Sequence, residues 1–202
     1  IDNNGDAIIT EIWKANLNSG TEAYRPYSNL GNSKISNFKV VDESGEIYKF
    51  VSFWDTKGSF ASKAYKNGFN YINNGVELCF GISKYGNNVY TLTYKISNFV
   101  QQYTDVQGIY FNFLSFDQGI GKAKATIRSD YPFSLDNTKI WAFGNDGTID
   151  LINGMIVMDS DGYLYSHEYM VGLVRFEQNI FNVKLKSTKS FDQIYDEAME
   201  DV

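Results

Sequence analysis

Nine residues, VYTLTYKIS at 89–97, set the terms for everything else this chain can fold into. Tyr90, Leu92, Tyr94 and Ile96 fall on one side of an extended backbone, and Thr91, Thr93, Lys95 and Ser97 on the other. Alternation with a period of two is the signature of a strand with one face covered and one face wet. The same pattern runs through Val76, Leu78, Phe80 and Ile82; Ile109, Phe111 and Phe113; Ala123, Ala125 and Ile127; and Phe181, Val183 and Leu185. Two continuous apolar runs, 47–54 (IYKFVSFW) and 169–176 (YMVGLVRF), read as strands covered on both faces.

The breaks between these runs carry turn chemistry. Asn3-Asn4-Gly5-Asp6, Asp42-Glu43-Ser44-Gly45-Glu46, Asn73-Asn74-Gly75, Asn145-Asp146-Gly147 and Ser160-Asp161-Gly162 each lead within two residues into a Val, Ile or Leu. Asn, Asp and Gly tolerate the positive φ of two-residue hairpin turns, so five hairpins are expected. Only Pro26 and Pro132 interrupt the backbone donors. The turn spacing is irregular, which excludes a repeat array. The fold class that follows is all-β, an antiparallel, hairpin-rich β-sandwich.

One stretch departs from this pattern. In 190–202, SFDQIYDEAMEDV, Ser190 and Gln193 have capping-box spacing, and Phe191, Ile194, Tyr195, Ala198 and Met199 recur at helical intervals. A short C-terminal α-helix is expected there, with Glu200-Asp201 an unfavourable acidic tip against the helix dipole. The domain reading is one β-sandwich over 1–189, as a single unit or two sub-domains, followed by a helix or linker over 190–202. Within it, 15–37 reads as a polar surface connection with room for one short strand.

Composition narrows the function. With 16% aromatic and 43% hydrophobic residues among 202, a substantial core is available and disorder is excluded. A net charge of −6, with scattered lysines, argues against nucleic acid, whose phosphates demand clustered cations. Cys79 is the sole cysteine, so no intrachain disulfide and no cysteine-based zinc cluster can form; in VELCFGI it reads as a small buried hydrophobe. No run reaches the ~18 apolar residues of a membrane-spanning helix, and no signal peptide opens the chain. The start at Ile1, without methionine, suggests that targeting segments have been trimmed away.

Candidate chemistry is sparse. Asp2, Asn4 and Asp6 alternate like the first ligands of a calcium loop, but Ala7 and Trp13 stand where that loop needs Gly and a bidentate Glu, and Glu11 comes one residue early. Asp159 and Asp161 are a second weak metal pair, and acidic turn residues explain both places as well. His167, the only histidine, lacks a nucleophile elbow and reads as an exposed imidazole at a strand end. GISKYG at 81–86, Gly119-Ile120-Gly121 and Gly144 precede no helical pattern with the required Lys or third Gly of a phosphate loop, so no cofactor is expected. Carboxylate pairs suited to a hydrolase remain open among 24 acidic residues. Trp13, Trp54 and Trp141 are the candidates for an aromatic surface that stacks sugar rings, if they are exposed.

Residues 90–116, YTLTYKISNFVQQYTDVQGIYFNFLSF, resemble the most characteristic block of the YciQ-like proteins, bacterial membrane proteins with a domain of unknown function. The family's Y-x-I-x-Y-x-V strand matches Tyr90, Leu92, Tyr94 and Ile96; its Y-x-D turn matches Tyr103, Thr104 and Asp105; its W-N strand matches Phe111 and Asn112, with Phe in place of Trp. Gly5-Asp6-Ala7 with Thr10-Glu11, Ala125-Thr126-Ile127 with Tyr131-Pro132, Ala142–Gly147, and Val174-Arg175-Phe176 with Phe181 resemble further blocks in the same order; Asn145 stands where His is common. The resemblance implies an extracytoplasmic domain at the face of the bacterial membrane, anchored by transmembrane segments outside this chain, with 190–202 leading toward them. It carries over no functional residues, and Asp105 and Asn112 read as structural groups bonding nearby backbone.

The functional expectation is a non-enzymatic role in recognition or assembly at the cell surface, with a cell-envelope protein or glycan as partner. The alternatives are a carbohydrate- or peptidoglycan-binding module and a carboxylate-based hydrolase.

Overall fold

The computed structural model describes residues 1–200, which group into two compact units. Ala7–Ser97 form one, here the insert; Ile1–Asp6 and the chain from Asn98 onward form the other, here the host. The chain passes from host to insert at Asp6/Ala7 and back at Ser97/Asn98.

The insert contains β1 (Ala7–Leu17), β2 (Glu22–Ser28), β3 (Ile35–Asp42), β4 (Lys49–Val51), the one-turn helix α1 (Phe60–Lys63), β5 (Lys66–Ile72), β6 (Gly75–Gly81) and β7 (Gly86–Ile96). They make two sheets, β1-β7-β3 and β2-β6-β5-β4, antiparallel except for the β4–β5 pair. The alternation in β7 is realised as expected: Tyr90, Leu92, Tyr94 and Ile96 are buried while Thr91, Thr93 and Lys95 are half-buried. Rings from the two sheets interleave, Phe80 with Tyr90 at 4.8 Å, Phe38 with Phe69 at 5.8 Å and Tyr27 with Tyr94 at 5.9 Å. Each such ring buries about 150–250 Å², roughly 4–6 kcal/mol of hydrophobic stabilisation before chain entropy is charged against it. This is the sandwich that the alternation implies.

Two readings of the insert are corrected. The run 47–54 is not covered on both faces: β4 spans three residues at a sheet edge, and only Tyr48 and Trp54 are buried, while Ile47, Phe50 and Phe53 are exposed. An apolar run records the absence of charge, which an edge strand satisfies as readily as a central one. Residues 15–37 are more than a surface connection. They supply the end of β1, the whole of β2, paired over seven residues with β6, and the start of β3, and they bury Arg25.

The host contains β8 (Gln101–Gln102), β9 (Gln107–Ser115), β10 (Lys124–Ile127), β11 (Thr138–Phe143), β12 (Gly147–Ile152), β13 (Met155–Ser160), β14 (Tyr169–Phe176) and α2 (Phe191–Glu200). Its sheets are β11-β14-β9-β8 and β10-β13-β12. Central β14 is covered on both faces, as its continuous apolar run implies. Leu173 packs with Tyr103, Phe191 and Ala198 beneath α2, while on the opposite face a Cβ added to Gly172 would lie 3.1 Å from Met158 Sδ of the other sheet.

Helix α2 starts where its capping box predicts. Ser190 N–H donates to Gln193 Oε1 at 2.9 Å and Gln193 N–H to Ser190 Oγ at 3.2 Å, and Asp105 Oδ1 accepts from Phe191 N–H at 2.8 Å. Asp105 is thus structural, and so is Asn112, whose Oδ1 accepts from Leu114 N–H at 3.1 Å. Asp201 lies outside the described residues.

The turns divide by what flanks them. Asn73-Asn74 closes the β5–β6 hairpin, with Asn74 at φ 60°. Asp42–Glu46 closes a short reversal between β3 and Ile47. Asn145-Asp146-Gly147 instead carries the chain from one host sheet to the other, and no strand pairs with β13 across Ser160-Asp161-Gly162. Asn-Gly and Asp-Gly permit positive φ wherever the backbone reverses, whether or not the flanking strands pair. The tightest host hairpin lies at Asn153-Gly154, where φ of 51° and 75° bring Ile152 opposite Met155, the type I′ geometry.

No strand forms over 181–185: Phe181 is buried but Leu185 is exposed. The buried side chain of Gln107 substitutes for a ladder. Its Oε1 accepts from Ile180 and Phe181 N–H at 2.9 and 3.0 Å, and its Nε2 donates to Phe181 C=O at 2.7 Å.

Candidate functional site

Acid–base chemistry would need titratable groups in the insert, where the buried charges lie. Arg25 is 2% exposed, its guanidinium 3.2 Å from Glu11 and 4.6 Å above the Tyr27 ring. Burial opposes its charge, but Tyr27, Glu11 and Tyr94 outweigh that cost and raise its pKa. Glu11 also accepts from the Tyr94 hydroxyl and, at 2.7 Å, from Trp13 Nε1–H. Burial, with Tyr27 and Glu11 beside it, raises the Tyr94 pKa, so the hydroxyl keeps its proton and donates it to Glu11. Tyr27 and Tyr94 share a further hydrogen bond at 2.5 Å. Glu11, Trp13 and Tyr94 come from one sheet and Arg25 and Tyr27 from the other, so this network ties the layers together.

A second buried charge is held in the same manner. Lys63 Nζ donates to Glu22 at 2.8 Å, Thr56 C=O at 2.7 Å and Thr21 Oγ1 at 3.1 Å, which occupies an ammonium's three donors. Trp54 Nε1–H donates to the same Glu22 oxygen at 2.6 Å. Glu43 is paired with Lys84 and accepts from Val89 N–H; those hydrogen bonds, the Lys84 bond foremost, hold its carboxyl down at about 2. Burial pushes the Cys79 thiol up to about 12, which keeps it protonated and unreactive.

The metal candidates take up backbone bonds and ion pairs. Asp2 Oδ1 accepts from Asn4 and Asp6 N–H at 2.9 and 3.1 Å, an Asx turn, while Asp6 Oδ1 accepts from Asn98 N–H at 2.8 Å. Asp159 pairs with Lys122 at 3.1 Å, and Asp161 N–H bonds Asp146 C=O. Among the described residues no three His, Cys, Asp or Glu side chains converge on a common point.

The tryptophans do not form an aromatic surface. Trp54 is 4% exposed. Trp13 is half-buried, with its ring edge-on to Phe80 at 5.7 Å, and Trp141 packs against Phe191 and Tyr195 of α2. Indoles carry the largest apolar area of any side chain, and here that area is spent on sheet–sheet and sheet–helix contacts.

Rings face solvent in both units: in the insert Phe53 and Tyr71 are 79% and 76% exposed, and in the host they gather in YLYSHEY at 163–169, where every second residue carries one. Tyr163 and Tyr165 are 57% and 60% exposed, edge to face at 5.1 Å, and His167 is exposed with its plane 14° from that of Tyr165 at 6.0 Å. Local backbone holds this ledge. Buried Leu164 exchanges two 2.8 Å hydrogen bonds with Ile120, and Tyr165–Glu168 close on each other through Tyr165 N–H to Glu168 Oε2 and Glu168 N–H to Tyr165 C=O. The Tyr163 ring lies so close over Gly119 that a Cβ there would fall 1.9 Å from its hydroxyl oxygen.

Immediately after that turn, Tyr169 enters β14 and lines an open concavity of about 400 Å³ with Tyr110, Asn112, Ser115, Phe143, Val171 and Ala198. Cross-strand register explains it: Asn112, Val171 and Phe143 are partners across β9, β14 and β11, one step along from Tyr110, Leu173 and Trp141. Leu173 and Trp141 lie under α2, and the next rank forms the floor of the concavity with Ala198 as its helix wall. The register shifts here: consecutive Met170 and Val171 face Leu114 and Asn112, so Phe113 is the extra residue of a bulge in β9. Gly144, at φ 98°, makes room for Tyr169, whose ring would lie 2.1 Å from a Cβ there. The period-two ring pattern in 163–169 is the sequence signal for this region.

Of the family models, curated proteins and solved structures compared with the chain, none matches.

Proposed function

We propose that this chain is a non-enzymatic recognition module displayed on the extracytoplasmic face of a bacterial cell membrane, meeting its partner through the ring-bearing face of the host. One observation carries the recognition role. The buried cations of the insert, Arg25 and Lys63, are matched by Glu11 and Glu22, whereas Tyr163, Tyr165 and His167 are held toward solvent on a braced turn. Groups built for acid–base work need access to a substrate proton; exposed rings need only a complementary surface. The placement rests on the resemblance carried by residues 90–116. Labelling of intact cells that make the full-length protein, with a membrane-impermeant amine-reactive biotin, tests it. Labelling of the 1–202 region is expected, and protection until the cells are lysed would overturn it.

A further inference from the structure

Resting on the recognition reading above, we infer that the ledge Tyr163–Tyr165–His167 and the concavity under Tyr110, Asn112 and Tyr169 form one extended site for an uncharged oligosaccharide. The two parts are joined by a single tight turn, Tyr165–Glu168, which keeps Tyr165 and Tyr169 within about 14 Å of each other along the chain, a span that one oligosaccharide covers. At about 400 Å³ the concavity falls within the roughly 300–1,000 Å³ of small-molecule sites.

The chemistry of the lining selects the ligand class. A pyranose ring presents one face of C–H bonds and an equatorial belt of hydroxyls. Aromatic faces match the first, and amide and hydroxyl groups match the second. Tyr110, Phe143 and Tyr169 supply the rings, and Ser115 and the two phenols supply the polar groups, beside an Asn112 that is held by Leu114 N–H. Aliphatic surface is confined to Val171 and Ala198 in the pocket, and on the ledge Leu164 is turned inward. An apolar peptide would find too little to bury there. Charge selects further. Asp161 and Glu168 flank the ledge in a chain of net charge −6, which repels uronates and phosphate polymers and is indifferent to neutral sugars.

The glycine contacts show a site braced before any ligand arrives: Gly119 seats Tyr163 and Gly144 seats Tyr169. Rings held in place lose little freedom on binding, which is where weak sugar contacts gain most.

Titration of the 202-residue chain by calorimetry and amide NMR tests the site. The probes are tetramers of β-1,4-glucose, α-1,4-glucose, β-1,4-xylose and β-1,4-N-acetylglucosamine, with tetragalacturonate and a proline-rich decapeptide as comparators. At least one neutral tetramer should bind with Kd below ~1 mM, and Tyr165→Ala and Tyr110→Ala should each weaken it about tenfold or more. Tyr165→Phe, which keeps the ring, should stay within about threefold of the parent, and unchanged thermal melting separates lost contacts from lost folding. Failure of every neutral tetramer to bind at ~10 mM, or binding unmoved by both alanine variants, overturns the site. Equal binding of tetragalacturonate or the peptide through the same tyrosines overturns the ligand class. These readouts use purified protein, so they are independent of the cell labelling: surface labelling with no glycan binding removes the glycan and leaves the recognition module.

Discussion

Insert and host are both two-sheet β structures, yet they fill their interiors differently. The insert buries full charges and matches each with an opposite one, Arg25 with Glu11 and Lys63 with Glu22. The host fixes its long irregular segment with a neutral amide, Gln107, and covers one sheet face with a helix. Buried ion pairs add little net stability compared with apolar packing, but they punish any misalignment that leaves one partner alone. The insert therefore gains register and layer specificity, whereas the host gains an irregular edge on which a ledge and a concavity can be built.

Breaking one ion pair should be the largest single perturbation. Arg25→Met strands Glu11 and is expected to lower stability in urea unfolding by about 3–5 kcal/mol, with Arg25→Met/Glu11→Leu recovering much of that loss. Recovery by the double variant is the decisive arm, since a role in packing alone would make the two losses add. In the host, Gln107→Leu removes the acceptor for the buried Phe181 N–H and the part-buried Ile180 N–H and should cost about 2–3 kcal/mol, with faster hydrogen exchange at both. Ser190→Ala, which opens the capping box, should cost about 1 kcal/mol and speed proteolysis within α2.

The smallest effect at neutral pH is expected at Cys79. Its folded pKa of about 12 lies above the ordinary thiol value near 9, so the folded state retains a proton that the unfolded chain releases. That contribution is fully present below pH ~9 and is lost as pH rises toward about 12. Between these limits the urea midpoint of the parent should fall more steeply than that of Cys79→Ala, and parallel curves would show a solvated thiol.

How far the sequence discloses all this depends on the kind of interaction. The alternation in β7 and the capping box of α2 are local patterns with one physical solution each, and both are read correctly from residues alone. Asn153-Gly154, a two-residue turn between LI and MIV, is legible by the same local rule. Residues 47–54 and 181–185 are a different case. Whether an apolar strand finds a partner on each side is decided by strands far away in sequence, and hydropathy does not encode it. The charged cores were hidden for the same cause: Glu11 and Arg25 are 14 residues apart in the chain, with nothing at either position to announce the other. Ring exposure is likewise a tertiary outcome: Trp54 is 4% exposed and Tyr165 60%, and nothing in residue type separates them.

The route of the chain through the two units has a consequence for synthesis. The insert is one contiguous stretch, so all its partners have left the ribosome once Ser97 has. The host is split: Asn3 C=O accepts from Asn182 N–H, and Gly5 is packed by Val100 and Val183. Residues 1–6 must therefore wait while some eighty further residues emerge after Asn98, roughly 4–17 s at about 5–20 residues per second. Through that interval the finished insert holds both ends of the gap together, since Ala7 and Ile96 are register partners in β1 and β7. The strand pair that opens and closes the insert thus acts as a clasp during translation, presenting the first six residues beside the segment they must join.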